Sequence, residues 1–479
     1  MSRPQASSEV ARALDLTSVK ALWGPPHYTE FMLEKHAVLA ERAVPRYTSY
    51  PTAPHFGSAV GAGTYAAWLE DISITDTLSL YLHIPFCKSL CLYCGCNTKA
   101  VRRIEPVDSY VERLIREISL VAERTGRREI IHLHWGGGTP SILGPERLCK
   151  LVDHLDARFD LGAMREHAIE LDPRYVTQPL ARGLASIGVT RASLGVQEFS
   201  ADVQHAIGRL QPFTVVQEAA AMLRDAGIAN INIDLMYGLP SQSVEDVRRS
   251  VMLAHALKPQ RLAMFGYAHV PWLKPHQKLI DESSLPLPAA RLAQERAAYD
   301  SLTELGYAPI GLDHYAAHDD SLAIAARAGQ LRRNFQGYTT DRADALIGLG
   351  TSAIGRTTTG FVQNAPDTGG YTRSIDSGQF ATVKGLVLSP DDRLRGRIID
   401  DLMCHLVCDL DVMIDRAGLP RNAFEQEIEA LAPFVADGLV KISGGCITVK
   451  EIGRPYLRLI AAIFDRYLAG NRARHSIAV

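Results

Sequence analysis

The chain has no surplus of charge, few cysteines and no long apolar run, and each of these shortages excludes a class of protein. Lys plus Arg number 51 against 53 Asp plus Glu, a formal net charge of −2, so the totals carry neither a nucleic-acid footprint nor an acidic tail. Eight cysteines in 479 residues are too few for a disulfide scaffold, and four of them (Cys87, Cys91, Cys94, Cys96) fall within ten residues while Cys149, Cys404, Cys408 and Cys446 are scattered. Clustered thiols suggest a metal centre in a reducing compartment. No stretch approaches the ~18 uninterrupted apolar residues of a membrane span, and Arg3, Glu9, Arg12, Asp15 and Lys20 interrupt what would be a signal-peptide core. A cytoplasmic protein with no membrane or nucleic-acid partner is expected. With 47% hydrophobic and 22% charged residues the composition excludes large-scale disorder.

What is present is a recurring unit: a short β-rich run, a loop with Gly or Pro, then a segment of helical period. Strands are predicted at Leu78–Pro85, Ile130–Trp135, Ala168–Leu171, Arg191–Val196, Asn230–Met236 and Leu262–Tyr267, with helices at Tyr110–Glu123, Leu148–Arg158, Pro179–Ile187, Thr214–Ala226, Val244–Leu257 and Ala289–Leu305. Crossover helices of this length return the chain to the same end of a parallel sheet. Six such units predict an α/β fold, a partial (β/α)6 barrel of the TIM type over 76–310. Residues 1–75 read as a helix and an extended strap, 311–390 as irregular structure packed on the open side of the barrel, and 391–479 as a small, mainly helical, winged-helix-like domain. In that last part Asp391–Leu410 reads as one helix carrying both Cys404 and Cys408, as buried structural thiols.

The chemistry is concentrated in Cys87-Lys-Ser-Leu-Cys91-Leu-Tyr-Cys94-Gly-Cys96, directly after the first strand. Zinc sites prefer paired knuckles from two separated places, and no second knuckle follows. A redox pair would use Cys91 and Cys94 and leave the others unexplained. An iron–sulfur cluster accommodates soft thiolates at this density and is favoured over both. Three ligands on a four-iron cluster would leave one iron open to a small molecule, which implies chemistry; Cys96 is placed near the site without a role. Polar groups stand at the later strands, where active groups gather in such barrels: Gly136-Gly137-Gly138-Thr139-Pro140 after the second, Glu170-Leu-Asp172 after the third, Gln197-Glu198 after the fourth, Asp234 on the fifth and Ala268-His269 after the sixth. Asp234 lies in an apolar run and requires a donor, for which ribose hydroxyls or Arg209 are candidates.

The Cys-x3-Cys-x2-Cys loop resembles that of the radical S-adenosylmethionine superfamily. Arg46-Tyr-Thr-Ser-Tyr-Pro-Thr-Ala53, Gly195-Val-Gln197-Glu-Phe199, Gly266-Tyr-Ala-His269-Val-Pro271, Asp313-His314-Tyr315 and Asn334-Phe-Gln336-Gly-Tyr-Thr-Thr340 narrow the resemblance to the oxygen-independent coproporphyrinogen III oxidases (dehydrogenases) of haem biosynthesis, from about residue 46 to the end. That resemblance implies a [4Fe-4S] cluster on Cys87, Cys91 and Cys94 and two S-adenosylmethionine molecules in one site. The first would meet Tyr81, Gly137, Glu170 and Ile354. The second would meet Tyr93, Gly138, Thr139, Gln197, Arg209, Asp234 and Ala268, with Phe335 and Gln336 close by. The implied reaction is oxidative decarboxylation of two propionates of coproporphyrinogen III to vinyl groups, giving protoporphyrinogen IX. It requires a reduced electron donor and is expected of a monomer. Arg46, Arg332, Arg333, His269 and His314 are candidate partners for the substrate's carboxylates. The rival readings are another radical enzyme or haem-handling protein of the superfamily, and a non-enzymatic iron–sulfur carrier.

Overall fold

The computed structural model describes residues 38–468; the rest of the amino-terminal segment assigned to the strap lies outside the described residues. The six predicted strands are all present, as β1 (Leu78–Ile84), β4 (Ile130–Gly137), β5 (Glu166–Leu171), β6 (Arg191–Gln197), β7 (Asn230–Tyr237) and β8 (Arg261–Gly266). They pair in parallel in that order. Two two-residue strands, β2 (Phe86–Cys87) and β3 (Lys99–Ala100), pair with each other and close the base of the cysteine loop.

Amphipathic crossover helices cover the outer face. In Glu105–Thr125 the residues Val107, Tyr110, Val111, Leu114, Ile118 and Val121 recur three and four apart and are buried, the stripe a helix needs to pack on a sheet. Along the strands, burial alternates with the period of two that an extended chain imposes. Leu133, Trp135, Ile169, Leu194 and Ile233 are almost fully buried, whereas His132, His134, Glu170, Ser193, Asn232 and Asp234, on the other face, line an internal cavity. At the amino-terminal ends of the strands that cavity is closed by ion pairs: Arg191 with Glu166 at 2.9 Å and Asp320 at 3.2 Å, and Arg261 with Asp320 at 2.7 Å.

The segment 311–390 differs from its prediction as irregular structure. It supplies β10 (His314–Ala316), β11 (Arg332–Asn334), β12 (Gly337–Thr339), β13 (Ala345–Leu349), β14 (Ile354–Arg356), β15 (Gly360–Asn364) and β16 (Thr382–Val387), with β9 (Ala308–Ile310) just before it. The sheet has twelve strands in the order β16-β15-β14-β13-β1-β4-β5-β6-β7-β8-β10-β9. Its parallel run gains a seventh member, because β13 pairs in parallel with β1. The barrel stays incomplete, with β16 and β9 as its two edges. Strands of three to six residues show little period of their own; the unpaired edges of β1 and β8 recruit them.

The carboxyl-terminal part is helical with a three-stranded sheet of β17 (Val407–Asp409), β18 (Val440–Ser443) and β19 (Cys446–Val449). The predicted helix 391–410 stops at His405, where Leu406 takes a left-handed conformation (φ 58°). Cys408 therefore lies on β17, not on the helix with Cys404; both are buried. The strap is fastened to this part by the Tyr47 hydroxyl on Asp465 at 3.0 Å and Arg458 on the Pro45 carbonyl at 3.0 Å. Among the described residues no helix is long and apolar enough to cross a membrane.

Candidate active site

The cysteine loop leaves the carboxyl end of β1 and is held mainly through its backbone. Leu92 N–H donates to the Ile207 carbonyl at 3.0 Å. From the segment after β8, Lys274, His276 and Gln277 donate to the carbonyls of Cys96, Cys94 and Tyr93 at 2.7, 2.8 and 2.9 Å. The thiol side chains are thereby left for other partners, and Cys87, Cys91, Cys94 and Cys96 all line one cavity of about 370 Å³.

The sulfurs of Cys87, Cys91 and Cys94 have donors suited to a thiolate. The Thr98 hydroxyl lies 3.2 Å from Cys87 Sγ and the Thr139 hydroxyl 3.4 Å from it. Arg209 Nη1 donates to Cys91 Sγ at 3.3 Å. A hydrogen bond from Cys96 holds the Cys94 thiol down at about 6, against burial, which pushes it up. That gives Cys96 a position and a partner that its spacing alone did not. Among the described residues no three His, Cys, Asp or Glu side chains converge on a point for a single metal ion; the four thiols line one cavity. A multi-iron cluster, which places each ligand on a different corner, fits such a set.

The glycines after β4 are demanded by packing. A Cβ on Gly138 would lie 2.6 Å from the Phe86 carbonyl oxygen, and Gly137, at φ +110°, would bring one to 2.6 Å from the His83 ring. His83 Nε2 donates to the Asn97 carbonyl at 2.9 Å, so its Nδ1 accepts from the Tyr81 hydroxyl at 3.1 Å. Glu170 accepts from His134 Nε2 at 3.2 Å and from Gly137 N–H at 3.3 Å. Burial pushes its carboxyl up, but these donors outweigh burial and hold it below the ordinary range.

Gln197 ends β6 at a register shift, with φ +72°. Such a backbone is uncommon for a side chain with a Cβ and persists where surrounding structure enforces it. Asp234 receives Ser193 Oγ at 2.8 Å and Asn232 Nδ2 at 2.9 Å, and burial raises its carboxyl to about 6. Arg209, predicted as a possible donor to it, pairs with Asp172 at 3.2 Å and with the Gly195 carbonyl instead. Asp172, expected among the polar groups at the strand ends, lines the cavity and is held also by Arg174 at 2.7 Å; His83 and His134 were not anticipated, and the alternation of His132, Leu133 and His134 was the signal for the last.

Of the remaining expected residues, Tyr93, Gly137, Gly138, Thr139, Glu170, Gln197, Arg209, Asp234 and Gln336 line the cavity with the cysteines. Four do not. Tyr81 stacks on His134 with ring centroids 5.9 Å apart, beneath the position of Gly136. The Ala268 carbonyl accepts from Gln277 at 3.3 Å. Ile354 sits on β14 opposite Gln363, its carbonyl against Gly348. Phe335, at the turn of the β11–β12 hairpin, lines a neighbouring cavity. Arg46 and Arg333 are occupied with backbone: Arg46 donates to the Gly266 carbonyl at 2.9 Å and Arg333 Nε to the Tyr47 carbonyl at 3.3 Å. His269 is paired with Glu282 at 3.0 Å, while His314, bonded to Asp313 at 2.7 Å, does line the cavity.

The family model for the radical SAM superfamily matches residues 81–254, which span the cysteine loop and β1 to β7. An oxygen-independent coproporphyrinogen III oxidase from Bradyrhizobium diazoefficiens is 46% identical over 444 residues, covering 92% of this chain and 98% of the relative. One from Pseudomonas aeruginosa is 39% identical over 441 residues, covering 90% and 95%. The solved structure of the Escherichia coli coproporphyrinogen III oxidase, described as a radical SAM enzyme, superposes with a TM-score of 0.85 at 36% identity and covers 89% of this chain and 100% of its own. By fold, cysteine loop and end-to-end likeness, the chain belongs to the oxygen-independent coproporphyrinogen III oxidases of the radical SAM superfamily.

Proposed function

We propose that this chain carries out the oxygen-independent oxidative decarboxylation of two propionates of coproporphyrinogen III, giving protoporphyrinogen IX. The observation that carries the reading is the shared cavity: three free thiols line it, with Glu170, Gln197 and Asp234 on the strands around it and Arg209 on the loop after the helix Ala201–Ala206. A passive iron–sulfur carrier would have no need of polar side chains at successive strand ends.

In this reading Cys87, Cys91 and Cys94 hold a [4Fe-4S] cluster. Tyr81, Gly137, Glu170 and Ile354 serve a first S-adenosylmethionine, and Tyr93, Gly138, Thr139, Gln197, Arg209, Asp234 and Ala268 a second, with Phe335 and Gln336 nearby. Bound there, these groups would supply the radical chemistry that removes a hydrogen from the propionate β-carbon and so makes loss of CO2 feasible, given an electron donor for the cluster and an acceptor for the electron released. The protein's part is positional. Glu170, ionised at neutral pH, accepts from an ammonium group; Asp234 accepts from ribose hydroxyls; Arg209 and the threonine hydroxyls hold thiolate charge in a half-buried site. The hairpin that carries Phe335 and Gln336 covers the cavity and limits water.

The test is an anaerobic assay of reconstituted, reduced protein with coproporphyrinogen III. Protoporphyrinogen IX should form with about one 5′-deoxyadenosine per CO2 released. Cofactor cleavage with no tetrapyrrole product would reject the substrate.

A further inference from the structure

Beside the cofactor cavity lies a second and larger one, of about 700 Å³, within the size range of sites for organic ligands. The two share Asn334, Thr339, Asp341 and Leu346 as wall. The β11–β12 hairpin is the partition, with Gln336 lining the first cavity and Phe335 the second. The floor of the second cavity is the added part of the sheet: Leu346, Arg356 and Phe361 stand side by side in register on β13, β14 and β15, so their side chains share one face. The rings of Phe335 and Phe361 meet edge to face at 6.1 Å.

The charge of this space is unbalanced. Six arginines line it against four aspartates, and the aspartates are engaged: Asp344 accepts from Thr77 N–H at 2.8 Å, Asp392 caps its helix through Ser389 Oγ at 2.6 Å, and Asp400 accepts from the Cys404 thiol at 3.4 Å. Arg333 and Arg393 donate to carbonyls, Arg332 pairs with Asp400 at 3.8 Å and Arg397 with Asp401 at 3.3 Å. The guanidinium groups of Arg342 and Arg356 have no hydrogen-bond or ion-pair partner among the described residues, and both residues line the cavity. A recess with flat aromatic surface and two uncommitted guanidinium groups suits a broad, apolar-faced ligand that bears several carboxylates.

We infer that this second cavity reads the substrate's carboxylates: Arg342 and Arg356 pair with propionates that are not reacting, while Phe335 and Phe361 lie against the macrocycle. The assignment rests on the function proposed above and adds to it the residues that select the substrate. It has a consequence for turnover. The substrate brings four carboxylates, the half-reacted intermediate three and the product two, so after the first decarboxylation both arginines still find a propionate and the intermediate is retained for its second reaction.

The experiment uses the reconstituted holoprotein and three oxidised, unreactive probes: coproporphyrin III, its tetramethyl ester and protoporphyrin IX, with affinities from fluorescence quenching. Coproporphyrin III should bind tightest. Arg342→Ala and Arg356→Ala should each weaken it by about tenfold, the loss of one charge-assisted pair, and change ester binding by less than twofold, with Arg→Lys recovering part of the loss. With coproporphyrinogen III as substrate, KM should rise by a similar factor and kcat change little. Equal affinity for acid and ester, or unchanged acid binding in both alanine variants, overturns the inference, and continued product formation by the parent protein would then leave the proposed function standing. Arginine-dependent binding of coproporphyrin III without any product from the parent supports the carboxylate subsite and counts against the proposed reaction.

Discussion

Replacing Asp234 with asparagine separates what this residue costs the fold from what it gives the site. Its carboxyl rises from 3.8 to about 6, chiefly through burial. A folded-state value above the unfolded one means that the folded chain binds the proton more tightly. The stability gained is complete below pH 3.8 and is lost as pH rises through about 6. The difference corresponds to about 3 kcal/mol at pH 8, at 1.36 kcal/mol per pH unit, and about half that at pH 5. Asp234→Asn removes the charge and keeps the local bonds: Asn232 Nδ2, 2.9 Å away, still donates to the side-chain oxygen, and Ser193 Oγ, at 2.8 Å, turns from donor to acceptor. Denaturant unfolding without added S-adenosylmethionine should show the variant more stable than the parent by up to about 3 kcal/mol at pH 8, a gap that narrows to about half at pH 5. Turnover should fall by at least an order of magnitude, because a neutral amide is a weaker acceptor for ribose hydroxyls. A variant no more stable at pH 8, or a gap that ignores pH, refutes the reasoning.

Arg209→Met should cost about 3 kcal/mol in denaturant unfolding, because Asp172 keeps only Arg174 and the Gly195 carbonyl loses its donor; a loss below 1 kcal/mol would show that the buried pair is redundant. Gly138→Ala should lower stability by about 1–3 kcal/mol and reduce iron loading, since its Cβ meets the Phe86 carbonyl at 2.6 Å; normal iron content would show that the loop yields. Alanine at Cys87, Cys91 or Cys94 should abolish cluster absorbance and bound iron, whereas Cys96→Ala should keep the iron, because Cys96 acts through its bond to Cys94. Iron lost only in the Cys96 variant would reverse that assignment.

The core barrel was legible because β1 and β4 to β8 are apolar on the outer face and their crossover helices carry a buried stripe, as in Glu105–Thr125. The site was legible at positions where residue type and strand end coincide, such as Glu170 and Gln197, and where a carboxylate interrupts an apolar strand, as Asp234 does. The additional strands were not, because β14, with Ile354, Gly355 and Arg356, is a strand only by virtue of its neighbours. Arg46 and Arg333 stand near recognisable motifs, but their guanidinium groups turn to backbone carbonyls, and no one-dimensional pattern encodes that direction. Arg342 and Arg356 lie outside every motif and join one wall only once β13 and β14 have paired.

The clasp of Lys274, His276 and Gln277 grips peptide oxygens of the cysteine loop and leaves its sulfurs alone. Part of the loop's shape is thus fixed by protein contacts that leave the thiols unengaged. If air stripped an inorganic core from the thiols, this harness would still hold the peptide oxygens, a starting point for recharging the chain with iron and sulfide.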